Sequence, residues 1–196
     1  HLATSYILKD EIKHAQDAYL QILSIYESLI ENQAVNTSFL SEYIYYASEY
    51  ANVLNQKLNN QKEALEIFKK IDKRINMLDR DHFQFEYLAN VYTSALTSYA
   101  LLTSQQKNNK NALNIYLKNI ELIDYISRFD FRNSNIAYNE ALSHHYIGEL
   151  YQKSNIHDPR ALKYIQQGRD LFVKLAKVDK SQLTNLVISN DSLGDL

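Results

Sequence analysis

One short pattern returns along the chain at a nearly constant step. Ala64-Leu-Glu-Ile-Phe68, Ala112-Leu-Asn-Ile-Tyr116 and Ala161-Leu-Lys-Tyr-Ile165 stand 48 and 49 residues apart, and Ala18-Tyr-Leu-Gln-Ile22 lies 46 residues before the first of them. Such a return requires one supersecondary unit to be built several times and stacked on itself. Three of the segments follow a polar connection, at residues 59–63, 107–111 and 155–160. The last connection supplies the clearest helix start, with Asp158 as N-cap and Pro159 at the first helical position. Each of the same three segments is preceded by a small residue, Ala51, Ala100 or Gly148, lying 13, 12 or 13 positions upstream. Two helices of a hairpin approach closely only where one offers little side chain, and a small residue facing an alanine meets that need.

Composition agrees with helices. Only 3 Gly and 1 Pro occur among 196 residues, too few for the turns of a β-rich fold. The periodicity predicts an all-α chain of about seven to eight helices, over about 4–31, 39–58, 62–78, 82–105, 110–128, 134–153, 158–178 and 184–196. Nothing linker-like interrupts it, so 1–196 is expected to be a single repeat domain, with units at about 1–36, 37–80, 81–130 and 131–180 and a partial one at 181–196. No apolar run reaches membrane-spanning length. The 21 basic and 23 acidic residues are interspersed, without the basic stripe that a nucleic-acid partner requires. The lack of cysteine removes disulfides, thiolate catalysis and cysteine-bound zinc. Residue 1 is His and the only Met is Met77. The chain is therefore expected to be a piece of something longer, with a cytoplasmic location and any targeting segment outside it.

Tyr146-Ile-Gly-Glu-Leu-Tyr151 followed by Pro159-Arg-Ala-Leu-Lys-Tyr164 resembles the tetratricopeptide repeat family. That family's signature sets Gly or Ala, an aromatic residue three later, then Ala, and an aromatic residue four later. Gly148, Tyr151 and Ala161 fill three positions, and Ile165 or the neighbouring Tyr164 the last. The other units offer Ala51, Leu54, Ala64 and Phe68, then Ala100, Thr103, Ala112 and Tyr116. The usual period is nearer thirty-four, so each helix here is longer by a turn or two. The tail, with Leu193-Gly-Asp-Leu196, is similar to the start of a further unit in long-period members from bacterial multidomain proteins. The resemblance implies an α-solenoid of antiparallel helix pairs, wound into a right-handed superhelix whose concave groove is lined by the first helix of each pair.

The stretch Glu42-Tyr-Ile-Tyr-Tyr-Ala-Ser-Glu-Tyr50 tests that picture. On a helix, Leu40, Ile44, Ala47, Ala51, Leu54 and Leu58 form one apolar stripe. Tyr43, Tyr46 and Tyr50 fall to its side, where they are expected to fill the seam against the preceding helix with their hydroxyls at its edge. Tyr45 points away, in line with Ser48, Asn52 and Asn55. In the repeat register this is the groove face, continued by Ser94, Thr97, Leu101 and Ser104 and then by Leu142, His145, Glu149 and Gln152. The expected partner-binding set is Tyr45, Ser48, Asn52, Asn55, Thr97, Leu101, Leu142, His145, Glu149 and Gln152. This surface is polar and mostly uncharged. Ser48 stands where family members that clamp a terminal carboxylate carry Lys, so a partner of that kind is not expected.

Catalytic patterns are weak. His145 and Glu149 share a helical face and could offer two metal ligands, but a zinc site needs a third; a solvated His–Glu pair on the groove wall, with His144 beside the core, is the plainer expectation. Asp81 is explained as a helix N-cap, and glycines isolated at 148, 168 and 194 make no phosphate loop. The expectation is a non-catalytic module that binds a protein or peptide, with no catalytic residues, no metal and no cofactor. Self-association through open ends would cover their apolar faces. A regulatory or sensor region of a larger protein, fused to a kinase, nucleotidase or effector, is the alternative, and a metal-dependent enzyme ranks below both.

Overall fold

The structure is a computed structural model that describes residues 2–31, 36–129, 133–155 and 157–178. Among these residues it is all-α. The helices are α1 (Leu2–Leu8), α2 (Ile12–Glu31), α3 (Thr37–Gln56), α4 (Gln61–Ile75), α5 (Glu86–Gln105), α6 (Asn109–Ile126), α7 (Ser134–Ser154) and α8 (Pro159–Val178), with a 3-10 turn at Arg80–Gln84. The starts of α2, α4, α6 and α8 fall 49, 48 and 50 residues apart, and those of α3, α5 and α7 fall 49 and 48 apart. The step seen in the Ala-Leu segments is thus the step of the helices themselves. The chain divides into two compact units, His1–Ser98 and Tyr99–Leu196, with the boundary inside α5. In the first, α1 packs on α2, α2 on α3 and α3 on α4; in the second, α6 packs on α7 and α7 on α8.

Asparagine marks four of the eight helix starts among the described residues. Asn36 Oδ1 accepts from the Ser38 and Phe39 amides, and Asn133 Oδ1 from those of Asn135 and Ile136. Asn60 Oδ1 accepts from the Glu63 amide while its Nδ2 donates to Glu63 Oε2 at 2.6 Å. Asn108 Oδ1 accepts from the Asn111 amide. Each cap satisfies amides that the first helical turn leaves without partners. Asp158 does the same for the Arg160 amide at 2.9 Å, as its position before Pro159 predicts.

Two of these residues also close the helix before them. Asn59 and Lys107 take left-handed φ values of 49° and 59°. The Asn60 amide then donates to Leu54 O at 2.8 Å, and the Asn108 amide to Thr103 O at 3.2 Å. One asparagine therefore ends a helix and starts the next, which keeps the connections short, and α3 and α4 so joined pack on each other.

The small residues are interior. Ala51, Ala64, Ala100, Ala112 and Ala161 are wholly buried. Gly148 on α7 sits so close to α8 that an added Cβ would meet Ala161 O and Ile165 N at 2.9 Å. Gly168 on α8 returns the contact, where a Cβ would meet Ala141 O at 2.8 Å and His145 N at 2.9 Å. The glycine expected to seat this hairpin does so, and a second one works from the opposite helix.

Four expectations need correction or fall outside view. The single helix over 4–31 is two, because Asp10 turns left-handed at φ 60° between α1 and α2. Asp81 lies inside the 3-10 turn ahead of α5 and is not its N-cap. Leu58 lies beyond the end of α3 and is exposed, so the buried stripe stops at Leu54. The helix expected at 184–196, with Gly194, lies outside the described residues.

Candidate functional site

Helix α3 carries the densest aromatic content of the first unit and sorts it onto two faces. Toward α2, Tyr43 donates its hydroxyl to Glu27 Oε1 at 3.2 Å, and Tyr50 accepts from Gln16 Nε2 at 3.0 Å while stacking on Tyr19. Tyr46 stacks on Tyr26 with ring centroids 6.0 Å apart. Tyr43 and Tyr50 are buried and Tyr46 half-buried. Tyr43 and Tyr50 are seam residues, and Tyr46 lies at the border between the seam and the open face. Each ring adds apolar area at low entropic cost, and the hydroxyls of Tyr43 and Tyr50 meet a partner at the edge.

The other face is open. Tyr45 is 43% exposed and meets Tyr46 edge to face at 5.2 Å. From α5, Tyr87, 45% exposed, donates its hydroxyl to Glu42 Oε1 at 3.3 Å. Glu42, Tyr45, Tyr46 and Glu49 are three, one and three positions apart and so occupy one arc of α3. Tyr26 flanks this arc on one side and Tyr87 on the other. Partial burial, then the Glu42 carboxylate, pushes the Tyr87 hydroxyl up to about 12. The Tyr26 and Tyr45 hydroxyls are also raised, by burial first and by glutamate charge second. Burial raises the Glu49 carboxyl. The face is thus a set of tyrosine rings in a negative local field.

The expected groove residues fall into three groups. Tyr45, Ser48, Asn52 and Asn55 come together on α3, the last three half-buried, and Ser48 Oγ is buried without a hydrogen bond. On α5, Thr97 is buried and donates to Thr93 O at 3.0 Å, as helix-buried threonines do. Leu101 is half-buried. On α7, Leu142, Glu149 and Gln152 are half-buried, whereas His145 is only 3% exposed. The interior positions of Thr97 and His145 correct the expectation that both line an accessible wall. Helix α7 buries a broad arc, and Gly168 brings α8 against the His145 backbone.

His145 and Glu149 do meet. Nε2 lies 3.2 Å from Glu149 Oε1, but off the direction of a hydrogen bond. The proximity of His145, with Lys153 Nζ at 3.3 Å from the other oxygen, holds the Glu149 carboxyl below its ordinary value. Among the described residues no group of three or more His, Asp or Glu side chains converges to hold a metal. No described helix is long and apolar enough to cross a membrane.

A concavity of about 560 Å3 lies between α2, α3 and α4, lined by Glu27, Leu40, Tyr43, Lys70, Lys73 and Arg74 among others. Arg74 is held there over the Tyr43 ring, 5.0 Å from its centroid, and 3.9 Å from Glu31.

Residue reading overlooked Glu42, Glu49, Tyr26 and Tyr87. The spacing Glu42-x-x-Tyr45-Tyr46-x-x-Glu49 was a usable signal for the α3 part. Tyr87 had none, because its approach depends on how α5 packs. Compared with known proteins, the chain matches no protein-family model, no curated protein and no solved structure.

Proposed function

We propose that the chain is an interaction module built of tetratricopeptide-like helix pairs, and that the open face of α3 binds a peptide or an extended segment of a protein partner. The observation that carries this reading is the exposure of Tyr45 and Tyr87 on one patch while Tyr43 and Tyr50 are consumed by packing. Rigid aromatic side chains already ordered by a helix lose little entropy on binding, which is why such residues concentrate in binding hot spots. Asn52 and Asn55 beside Tyr45 offer amides to a peptide backbone. The even step of the helix starts and the seating of Gly148 on α8 support the repeat character.

The test is a random peptide display library selected against the 196-residue chain. Enriched peptides should lose at least about tenfold in affinity, roughly 1.4 kcal/mol, to Tyr45→Ala or Asn52→Ala, with the melting temperature nearly unchanged. A library that yields no binder, or binders indifferent to both substitutions, refutes the reading.

A further inference from the structure

We infer that the partner is basic: the arc formed by Glu42, Tyr45, Tyr46 and Glu49, flanked by Tyr26 and Tyr87, receives two arginine or lysine side chains from one extended peptide segment. This inference rests on the peptide-binding reading and names the chemistry of its partner.

The tyrosine rings present π-faces, and the two carboxylates stand at either end of the arc. A cation over a tyrosine ring gains about 0.5–1 kcal/mol at an exposed site and more when desolvated. The chain shows this chemistry with its own arginines: Arg160 lies 4.1 Å over Tyr151, Arg74 5.0 Å over Tyr43 and Arg128 5.5 Å over Tyr125. On the α3 arc no such cation is supplied. Among the described residues, no Lys, Arg or His pairs with Glu42 or Glu49, and none lies over Tyr26, Tyr45, Tyr46 or Tyr87. The ionised groups acting on these tyrosines are carboxylates, those of Glu42 and Glu49. The carboxylate of Glu49, already partly stripped of water, gains most from a cation brought to it. A phosphorylated or acidic partner would be repelled. A purely apolar helix would bury two carboxylates without compensation.

The dimensions select the spacing. Seven residues of helix separate Glu42 from Glu49, about 10 Å along the axis. A peptide in the extended polyproline II conformation rises about 3.1 Å per residue with three residues per turn, so residues three apart lie on one side about 9 Å from each other and reach both carboxylates at once. Arg-x-x-Arg therefore fits, and adjacent arginines do not.

Three fluorescein-labelled hexapeptides test this by anisotropy with the full chain: Gly-Arg-Gly-Gly-Arg-Gly and its glutamine and glutamate counterparts. The arginine peptide should bind, more weakly as salt rises, and the glutamate peptide should not. Glu42→Gln with Glu49→Gln should weaken the arginine peptide by about tenfold or more, whereas Glu121→Gln on α6 should leave it unchanged. Independently of any variant, titrating the arginine peptide into the unaltered protein should move the ring resonances of Tyr45 and Tyr87 and leave those of Tyr19 and Tyr116 in place. Equal binding of the arginine and glutamine peptides, indifference to the paired glutamine substitutions, or unmoved Tyr45 and Tyr87 signals would each overturn the inference. If the glutamine peptide binds equally well and Tyr45→Ala abolishes it, the module stands and its partner is not basic. If library selection also fails, the module falls as well.

Discussion

The two units bury aromatic and polar side chains on different terms. In the first, deep tyrosines have partners: Tyr43 meets Glu27, Tyr50 meets Gln16, and Tyr92 donates to Asp72 Oδ1 at 2.7 Å. In the second, Tyr116 is wholly buried against Tyr146 with a hydroxyl that has no hydrogen bond, and the same holds for His144 Nδ1 and both ring nitrogens of His145. What the second unit has instead is proximity. Two glycines on facing helices let the backbones of α7 and α8 approach closely, and none of the described glycines lies in the first unit. The deep tyrosines of the first unit have hydroxyls satisfied at the edge, whereas in the second α7 and α8 meet at glycines and a tyrosine hydroxyl is sealed inside. Smaller polar atoms, Ser48 Oγ and Asn90 Oδ1, are sealed in the first unit as well.

The largest effect that would break this comparison is at Gly148. In Gly148→Ala the new Cβ meets backbone atoms of Ala161 and Ile165, so no side-chain rotation relieves it and the helices must part. Overpacking of this kind costs about 1–3 kcal/mol, against which better helix propensity returns up to about 1 kcal/mol. We expect a net loss near the upper end, about 2 kcal/mol, read by urea unfolding. An unchanged midpoint would mean that the hairpin is not seated on Gly148.

A medium effect sharpens the contrast between hydroxyls. Tyr92→Phe removes a buried bond to a carboxylate and should cost about 1.5 kcal/mol. Burial, followed by the Asp72 charge, already pushes this hydroxyl far from ionisation, so it acts as a donor at every pH of interest. Tyr116→Phe removes a buried hydroxyl without a hydrogen bond and should be neutral or slightly stabilising, since the desolvation penalty disappears with it. Equal losses from the two substitutions would show that Tyr116 has a partner in solution, such as a buried water.

These contrasts also show where residue reading reached and where it stopped. The helical character and the step were legible because periodicity and small-residue spacing are local properties of the chain. So was the seam role of Tyr43 and Tyr50, since 100° per residue sets them beside the stripe whatever the partner helix is. The Asn60 and Asn108 caps were less legible: Asn-rich connections can be loops or caps, and only the left-handed turn before each asparagine decides it. The breadth of the arc that α7 buries was not legible at all. His145 looks like a wall residue on a helical wheel, and Gly168, an isolated glycine with no sequence partner, is what draws α8 over it. Likewise Tyr87 joins Glu42 across 45 positions, a contact that no local pattern encodes.

The smallest effect concerns pH and separates the units once more. His144 is buried beside Tyr164, and desolvation lowers its pKa below 6.5, with Asp124 opposing the shift and Lys163 adding to it. A histidine whose folded pKa is depressed binds fewer protons in the folded chain than in the unfolded one. Its contribution is complete above about pH 6.5 and is lost as pH falls through the depressed value. Glu140, whose Oε1 lies 3.9 Å from His144 Nε2, has a carboxyl raised by burial. It works in the opposite sense, favouring the folded state below 4.5 and losing that contribution as pH rises through its raised value. The wild-type chain should therefore lose stability on mild acidification below about pH 6.5, less steeply than His144 alone would dictate. His144→Phe keeps a ring against Tyr164 and removes the titration. Its midpoint for unfolding should be flatter over that window, with little change at neutral pH. Identical slopes for the two proteins would place His144 in contact with water, and with it would go the account of the second unit as sealed by close approach.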